Sequence, residues 1–124
     1  MQSTVYTANL RAGFVGLRFL PELIAIGTNN LNPKLILHDG HVEYRGAFFT
    51  NSLPYASIEL LNVAFVGSGT NNLTIVPRTG LTTFTGNFEK KAQLYQFLAL
   101  FKAKGCPLSP FAQKTLADYQ DQSQ

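Results

Sequence analysis

The dipeptide Asp39-Gly40 constrains the fold of this chain more than any other feature of its sequence. It separates two short runs of residues, 34–38 and 41–45, in which apolar and polar side chains alternate. Both central residues of a type I′ turn need a positive φ, and Asp-Gly is one of the dipeptides that tolerate it. The sequence therefore predicts a two-residue β-hairpin, in which each residue of one strand has a defined partner on the other.

This pairing also assigns each hairpin residue to one face of the sheet, because successive side chains on a strand point to opposite faces. One face should belong to the core, and it carries Leu35, Leu37, Val42 and Tyr44. The other should face water, and it carries Lys34, Ile36, His38, His41, Glu43 and Arg45. We call this second set the polar hairpin face.

Further strands are predicted on both sides of the hairpin, from runs of β-branched, aromatic and aliphatic residues. After it, the predicted strands cover residues 47–50, 58–66, 73–76 and 81–85, with turns at 53–55 and 77–80. Before it, the alternation over residues 4–10 suits a strand, and 28–33 resembles a turn. Residues 14–26 fit either a strand or a short helix that breaks near Pro21.

After residue 85, the spacing of the apolar residues changes from that of a strand to that of a helix. Leu94, Phe97, Leu98 and Phe101 recur at helical spacing and form an apolar stripe. We expect Asn87 to cap this helix, Glu89 to lie in its first turn and Gly105 to end it.

A second helix is predicted to follow, with Ser109 as its cap and Pro110 as its first residue. We expect it to end near Tyr119 and to leave a frayed polar tail at 120–124. With 124 residues, the chain is predicted to form one domain over residues 1–119. The best supported part of that domain is 34–105.

Charge and cysteine content narrow the functional classes. Charged residues make up only 14% of the chain, so little repulsion opposes self-association. The ten basic residues are scattered rather than clustered, which argues against nucleic-acid binding. The single cysteine, Cys106, excludes an internal disulfide and fits a reducing compartment. We expect it to be a small buried residue of a turn.

The most apolar stretch, residues 14–27, contains Arg18, Pro21 and Glu22 and is shorter than a membrane-spanning helix of roughly 20 residues. It also makes a poor signal peptide. The sequence therefore predicts a cytoplasmic chain, and contact with a membrane surface is not favoured.

The chain carries LILHDGHVEYRG, then LPYASIELLNV, then two more strands and a helix that ends in Lys-Gly. In this order of segments, it resembles bacterial PH-like domains over about residues 34–105. The resemblance implies an α+β fold: a strongly bent antiparallel sheet, or split barrel, closed by a C-terminal amphipathic helix. It also implies a binding or self-assembly module, since such domains rarely catalyse reactions. Fold alone does not select among these uses.

Two alternative sites lie on the polar hairpin face. Lys34, His41 and Arg45 echo the basic pattern with which PH domains bind phosphoinositides, although Glu43 places a negative charge among them. That pattern suggests a peripheral binder of anionic lipid headgroups. His38, His41 and Glu43 could hold a transition metal, but a hairpin tip offers little shelter, and we expect neither a metal nor a cofactor.

No nucleophile in the sequence has an obvious base partner, so we do not expect an enzyme. Phe48 and Phe49, together with residues 14–26, supply apolar surface that either completes the core or forms an interface. The first hypothesis from sequence is a non-catalytic module that contacts a protein partner or another copy of itself.

Overall fold

The computed structural model describes residues 5–17, 25–29, 33–45, 50–64, 71–80 and 82–122. These residues form an α+β fold of antiparallel strands followed by two helices, as predicted. The strands are β1 (Tyr6–Leu17), β2 (Ala25–Asn29), β3 (Lys34–Leu37), β4 (His41–Arg45), β5 (Thr50–Pro54), β6 (Ile58–Ala64), β7 (Asn72–Pro77) and β8 (Thr82–Phe88). The helices are α1 (Lys91–Ala103) and α2 (Pro110–Gln122), and a short 3₁₀ helix covers Tyr55–Ser57.

The long strand β1 organises the sheet. Seven strands follow the order β5-β4-β3-β1-β8-β7-β6. The N-terminal part of β1 pairs with β3, and its C-terminal part pairs with β2 on one side and β8 on the other. Among the described residues, β5 and β6 do not pair with each other, so this order of seven strands has two ends and the sheet is not closed; β2 lies off this order and pairs with β1.

The hairpin forms with the predicted register. Lys34 pairs with Arg45, and the His38 N–H donates to the His41 carbonyl at 2.9 Å. The four residues assigned to the core are buried. Ile36 was assigned to water and is only 7% exposed, so that assignment was wrong. It lies mid-sheet between Thr7 and Glu43, and polar side chains on neighbouring strands can shield an apolar residue from water.

Some strand boundaries differ from the prediction. Of the strand expected at 47–50, only Thr50 lies among the described residues, and it begins β5; Leu53 and Pro54, expected in a turn, also belong to β5 and pair with β4. Thr28 and Asn29, also expected in a turn, belong to β2 and pair with β1. Strands β6, β7 and β8 lie where strands were expected, and β7 and β8 form the predicted hairpin, with Gly80 at φ 95° in its turn.

The start of α1 was predicted wrongly. Asn87 does not cap the helix, because it pairs with Asn72 in the sheet and its Oδ1 accepts the Asn71 N–H at 2.9 Å. The chain therefore stays extended through Phe88, and the helix begins at Lys91. The predicted end is correct, since Gly105 adopts the left-handed φ of 85° that follows many helices.

The second helix begins as predicted, because the Ser109 Oγ accepts the Ala112 N–H at 3.1 Å. It continues to Gln122, so residues 120–122 of the expected frayed tail are helical. No helix in the described parts of the chain is long and apolar enough to cross a lipid bilayer.

The stripe on α1 packs into a single cluster of buried residues. The Phe97 ring meets the Phe88 ring edge-on with centroids 5.3 Å apart, and the Phe101 ring meets Tyr55 at 6.1 Å. Burying such side chains contributes about 1.5–3 kcal/mol each, so α1 is held to the sheet mainly by this stripe.

Candidate functional site

Glu43 is the centre of the polar hairpin face. Its Oε1 accepts a hydrogen bond from His38 Nε2 at 2.8 Å, and its Oε2 accepts one from Arg45 Nε. The His38 and His41 rings stack with centroids 4.4 Å apart. The hydrogen bonds from His38 and Arg45 lower the pKa of the Glu43 carboxyl, which therefore stays ionised at neutral pH.

The tip of this hairpin is tied to the rest of the fold. Lys104 Nζ, just after α1, donates to the Asp39 carbonyl at 2.9 Å. The Tyr55 hydroxyl donates to the His38 carbonyl at 2.6 Å. Burial is the main cause that raises the pKa of Tyr55 to about 12, so this hydroxyl keeps its proton. The tip is thus a fixed part of the surface.

This geometry counts against the lipid-headgroup site, which stays a prediction. Lys34 and Arg45 are directly paired, but His41 is four residues from Arg45 along β4, or roughly 13 Å. Glu43 lies between them and already occupies the Arg45 guanidinium. A bound phosphate would have to displace this carboxylate and would be repelled by it.

The same residues do not converge on a metal. No group of three or more His, Cys, Asp or Glu side chains in the described part of the chain could hold one. The rings of His38 and His41 lie within 17° of parallel, so they lie one above the other instead of pointing at a common centre.

Two side chains with nucleophilic atoms, those of Cys106 and Ser109, have hydrogen-bond partners. Burial raises the pKa of the Cys106 thiol to about 11, so it is protonated at neutral pH. The Ser109 hydroxyl donates to Asn62 Oδ1 at 2.7 Å while it caps α2. Phe48 and Phe49, the interface residues expected from sequence, lie outside the described residues.

The two strands at the ends of the sheet have protected edges. On β6, the Leu61 N–H donates to the Pro107 carbonyl at 2.9 Å, and the Leu61 carbonyl accepts the Ser109 N–H at 2.8 Å. The segment between α1 and α2 therefore covers this edge. Beside it, the Val63 N–H donates to Asn62 Oδ1 at 3.0 Å.

A similar contact protects β5. Hydrogen-bonded pairs alternate along an antiparallel ladder, starting from the bond that closes the hairpin. On that alternation Asn51 and Leu53 direct their backbone groups at β4, and Ser52 directs its N–H at the free edge. This N–H donates to Asn51 Oδ1 at 3.0 Å. Pro54 has no N–H, so β5 offers few donors to another strand.

The N-terminal half of β1 differs, and nothing in the sequence analysis identified it. The ladder between β1 and β8 begins only at the pair Leu10 and Phe88. Phe88 is the last residue of β8, and the chain then continues into α1. By the alternation above, Ala8 directs its backbone at β3, so Thr7 and Asn9 direct theirs away from it. No described strand pairs with Thr7 and Asn9 on that side. We call it the open edge.

A groove of about 410 Å³ runs along the open edge. Its lining consists of Thr7, Asn9, Glu89, Lys90, Ala92, Gln93 and Gln96. The near wall is thus the open edge, and the far wall is the start of α1 together with the two residues before it. Val5 and Tyr6, at the same end of β1, are 49% and 36% exposed. The open edge with this groove is the candidate functional site.

This site could not be predicted from the sequence, because it depends on how long each strand is, and strand length is known only once the strands are paired. Strand β1 spans 12 residues and β8 spans 7, so one must extend beyond the other. A sequence does not say which end of the longer strand is left unpaired.

A scan against protein-family models finds no match to this chain, and neither does a search of curated proteins.

Proposed function

We propose that this chain is a non-catalytic, PH-like binding module that takes up a protein partner by strand addition at the open edge of β1. The observation that carries the proposal is the contrast between edges. The edges of β5 and β6 are protected by side chains or by the segment between the helices, and no described residue protects the open edge in this way.

Strand addition suits this edge for a physical reason. Thr7 and Asn9 each present one main-chain donor and one acceptor, which a partner strand can satisfy with about four hydrogen bonds. Each is worth about 0.5–1.5 kcal/mol net, so the backbone alone supports only weak binding. Side chains in the groove must supply the rest of the affinity and the selectivity.

The PH-like assignment and the split barrel are part of this proposal. They are supported by the order of the elements, in which one hairpin-led set of strands precedes three more strands and a helix. They are also supported by the apolar stripe of α1, which packs into the core beside β8. In such an arrangement the opening of the barrel would lie between the two end strands, β5 and β6.

The test compares two substitutions at Thr7. Thr7→Pro removes the outward N–H without removing a bond to β3, and Thr7→Ala removes the side chain but keeps that N–H. Immobilised protein would be used to select binders from a phage-displayed library of random dodecapeptides, and their affinities would be measured by fluorescence polarisation. We expect Thr7→Ala to bind like the wild type and Thr7→Pro to bind at least 10-fold more weakly.

Circular dichroism and thermal unfolding provide the control that both variants are folded. If a folded Thr7→Pro protein binds the selected peptides as tightly as the wild type, or if no peptide is enriched, the proposal is wrong. Light scattering of the wild type addresses the case in which the partner is a second copy. A dimer that Thr7→Pro dissociates would assign the open edge to self-assembly.

A further inference from the structure

The far wall of the groove limits what can occupy the open edge. Ala92, Gln93 and Gln96 belong to the first two turns of α1, and they lie across the groove from Thr7 and Asn9. A second sheet approaching edge-on would bring its own helices against this wall. A single extended segment needs only the width of one strand, about 4.8 Å from β1.

The lining also has a distinctive charge pattern. No carboxylate in the described part of the chain lies within ion-pair distance of Lys90, which is exposed. The first turn of α1 contains no acidic residue, and Lys90 makes no side-chain capping bond. The positive charge of Lys90 is therefore reinforced by the amide groups at the helix start.

We propose that the occupant is a single extended segment of a partner protein that carries an acidic side chain, placed so that its carboxylate lies against Lys90. This inference rests on the proposed strand addition and adds the chemistry of the partner. The main chain of the segment pairs with Thr7 and Asn9, and its amide- or hydroxyl-bearing side chains meet Gln93 and Gln96.

Glu89 is the one acidic residue of the lining, and it is exposed. Glu89 does not cancel the preference for an acidic side chain, because Lys90 and the amide groups at the start of α1 both attract negative charge at the same end of the groove. It does restrict where the acidic side chain can lie. A partner with acidic residues along its whole length would meet Glu89 and bind less well than one with a single acidic residue.

The experiment uses the tightest peptide from the dodecapeptide selection and its counterpart in which each Asp or Glu is replaced by Asn or Gln. Each peptide is titrated against the wild type, Lys90→Gln and Lys102→Gln. Lys102→Gln is the matched control, since Lys102 is an exposed lysine in the last turn of α1, away from the groove. The readout is the dissociation constant at two salt concentrations.

We expect the acidic peptide to bind the wild type at least five-fold more tightly than its amide counterpart. Lys90→Gln should remove that difference and its dependence on salt, and Lys102→Gln should preserve both. Equal binding of the two peptides to the wild type, or equal effects of the two lysine substitutions, would overturn the inference.

These outcomes separate the two proposals. If Thr7→Pro abolishes binding of both peptides and Lys90→Gln changes neither, strand addition stands and the acidic preference is wrong. If Thr7→Pro has no effect, strand addition itself fails, whatever Lys90 does. A selected peptide without any acidic residue would contradict the inference directly.

Discussion

Replacing Glu43 by Gln should destabilise the protein at neutral pH and should matter much less in acid. The Glu43 side chain is 12% exposed and accepts hydrogen bonds from His38, which is 29% exposed, and Arg45, which is 49% exposed. Exposed ion pairs contribute about 0.2–1 kcal/mol, and hydrogen bonds to charged groups reach about 1.5–3 kcal/mol only when sheltered. We therefore assign about 1.5 kcal/mol to the pair of contacts.

A glutamine keeps one acceptor oxygen, so Glu43→Gln should lose about 1 kcal/mol of this. For a chain of this size, that corresponds to a fall of about 3–5 °C in the melting temperature. Urea unfolding followed by circular dichroism should show a lower midpoint with an unchanged slope.

The pH dependence has a definite sign. The pKa of Glu43 is lowered in the folded protein relative to the unfolded chain, where a glutamate titrates near 4.3. Its stabilising effect is therefore complete above the unfolded value and is lost as the pH falls through the folded value. We expect the gap between the wild type and Glu43→Gln to shrink below about pH 4. A gap of the same size at pH 7 and pH 3, or none at pH 7, would refute this account.

Two further sets of experiments test the environment of the buried Cys106 thiol and the protected edge of β5. Cys106 should react with Ellman's reagent at pH 8 only at the rate of unfolding, because its thiol is buried and its pKa is raised to about 11; rapid reaction of folded protein would contradict this. Relative to Cys106→Ala, the wild type should lose stability as the pH rises from about 8.5 towards 11, since only the unfolded thiol then ionises. Asn51→Ala should release the Ser52 N–H and raise the mass measured by light scattering, whereas Asn51→Asp keeps an acceptor and should not.

The sequence predicted those parts of the fold that local chemistry determines. Asp39-Gly40 specified a turn and, through it, the register that the structure has, because a two-residue loop allows only one pairing. Nine of the ten hairpin residues are buried or accessible as that register predicts. Ser109 and Gly105 were recognised because a helix needs a side-chain acceptor at one end and a left-handed residue at the other.

The failures depend on long-range contacts. Asn87 has a side chain that can cap a helix, but its backbone pairs with β7 and its Oδ1 accepts the Asn71 N–H instead. The burial of Ile36 depends on neighbours supplied by two other strands. The open edge reflects the difference in length between β1 and β8, which no local pattern records. The candidate site is therefore defined by backbone groups that no described strand pairs with, whereas sequence patterns report only which residues are present.

The segment between the helices has a consequence for shortening the chain. A protein that stops after Gly105 would keep every described strand and the whole of α1, and would still lose the two hydrogen bonds that Leu61 makes with Pro107 and Ser109. Its β6 edge would then be available to the β6 edge of another molecule. The segment that precedes the second helix is therefore expected to keep β6 from pairing between molecules, and a chain that ends at Gly105 should form dimers through β6 that the full chain does not form.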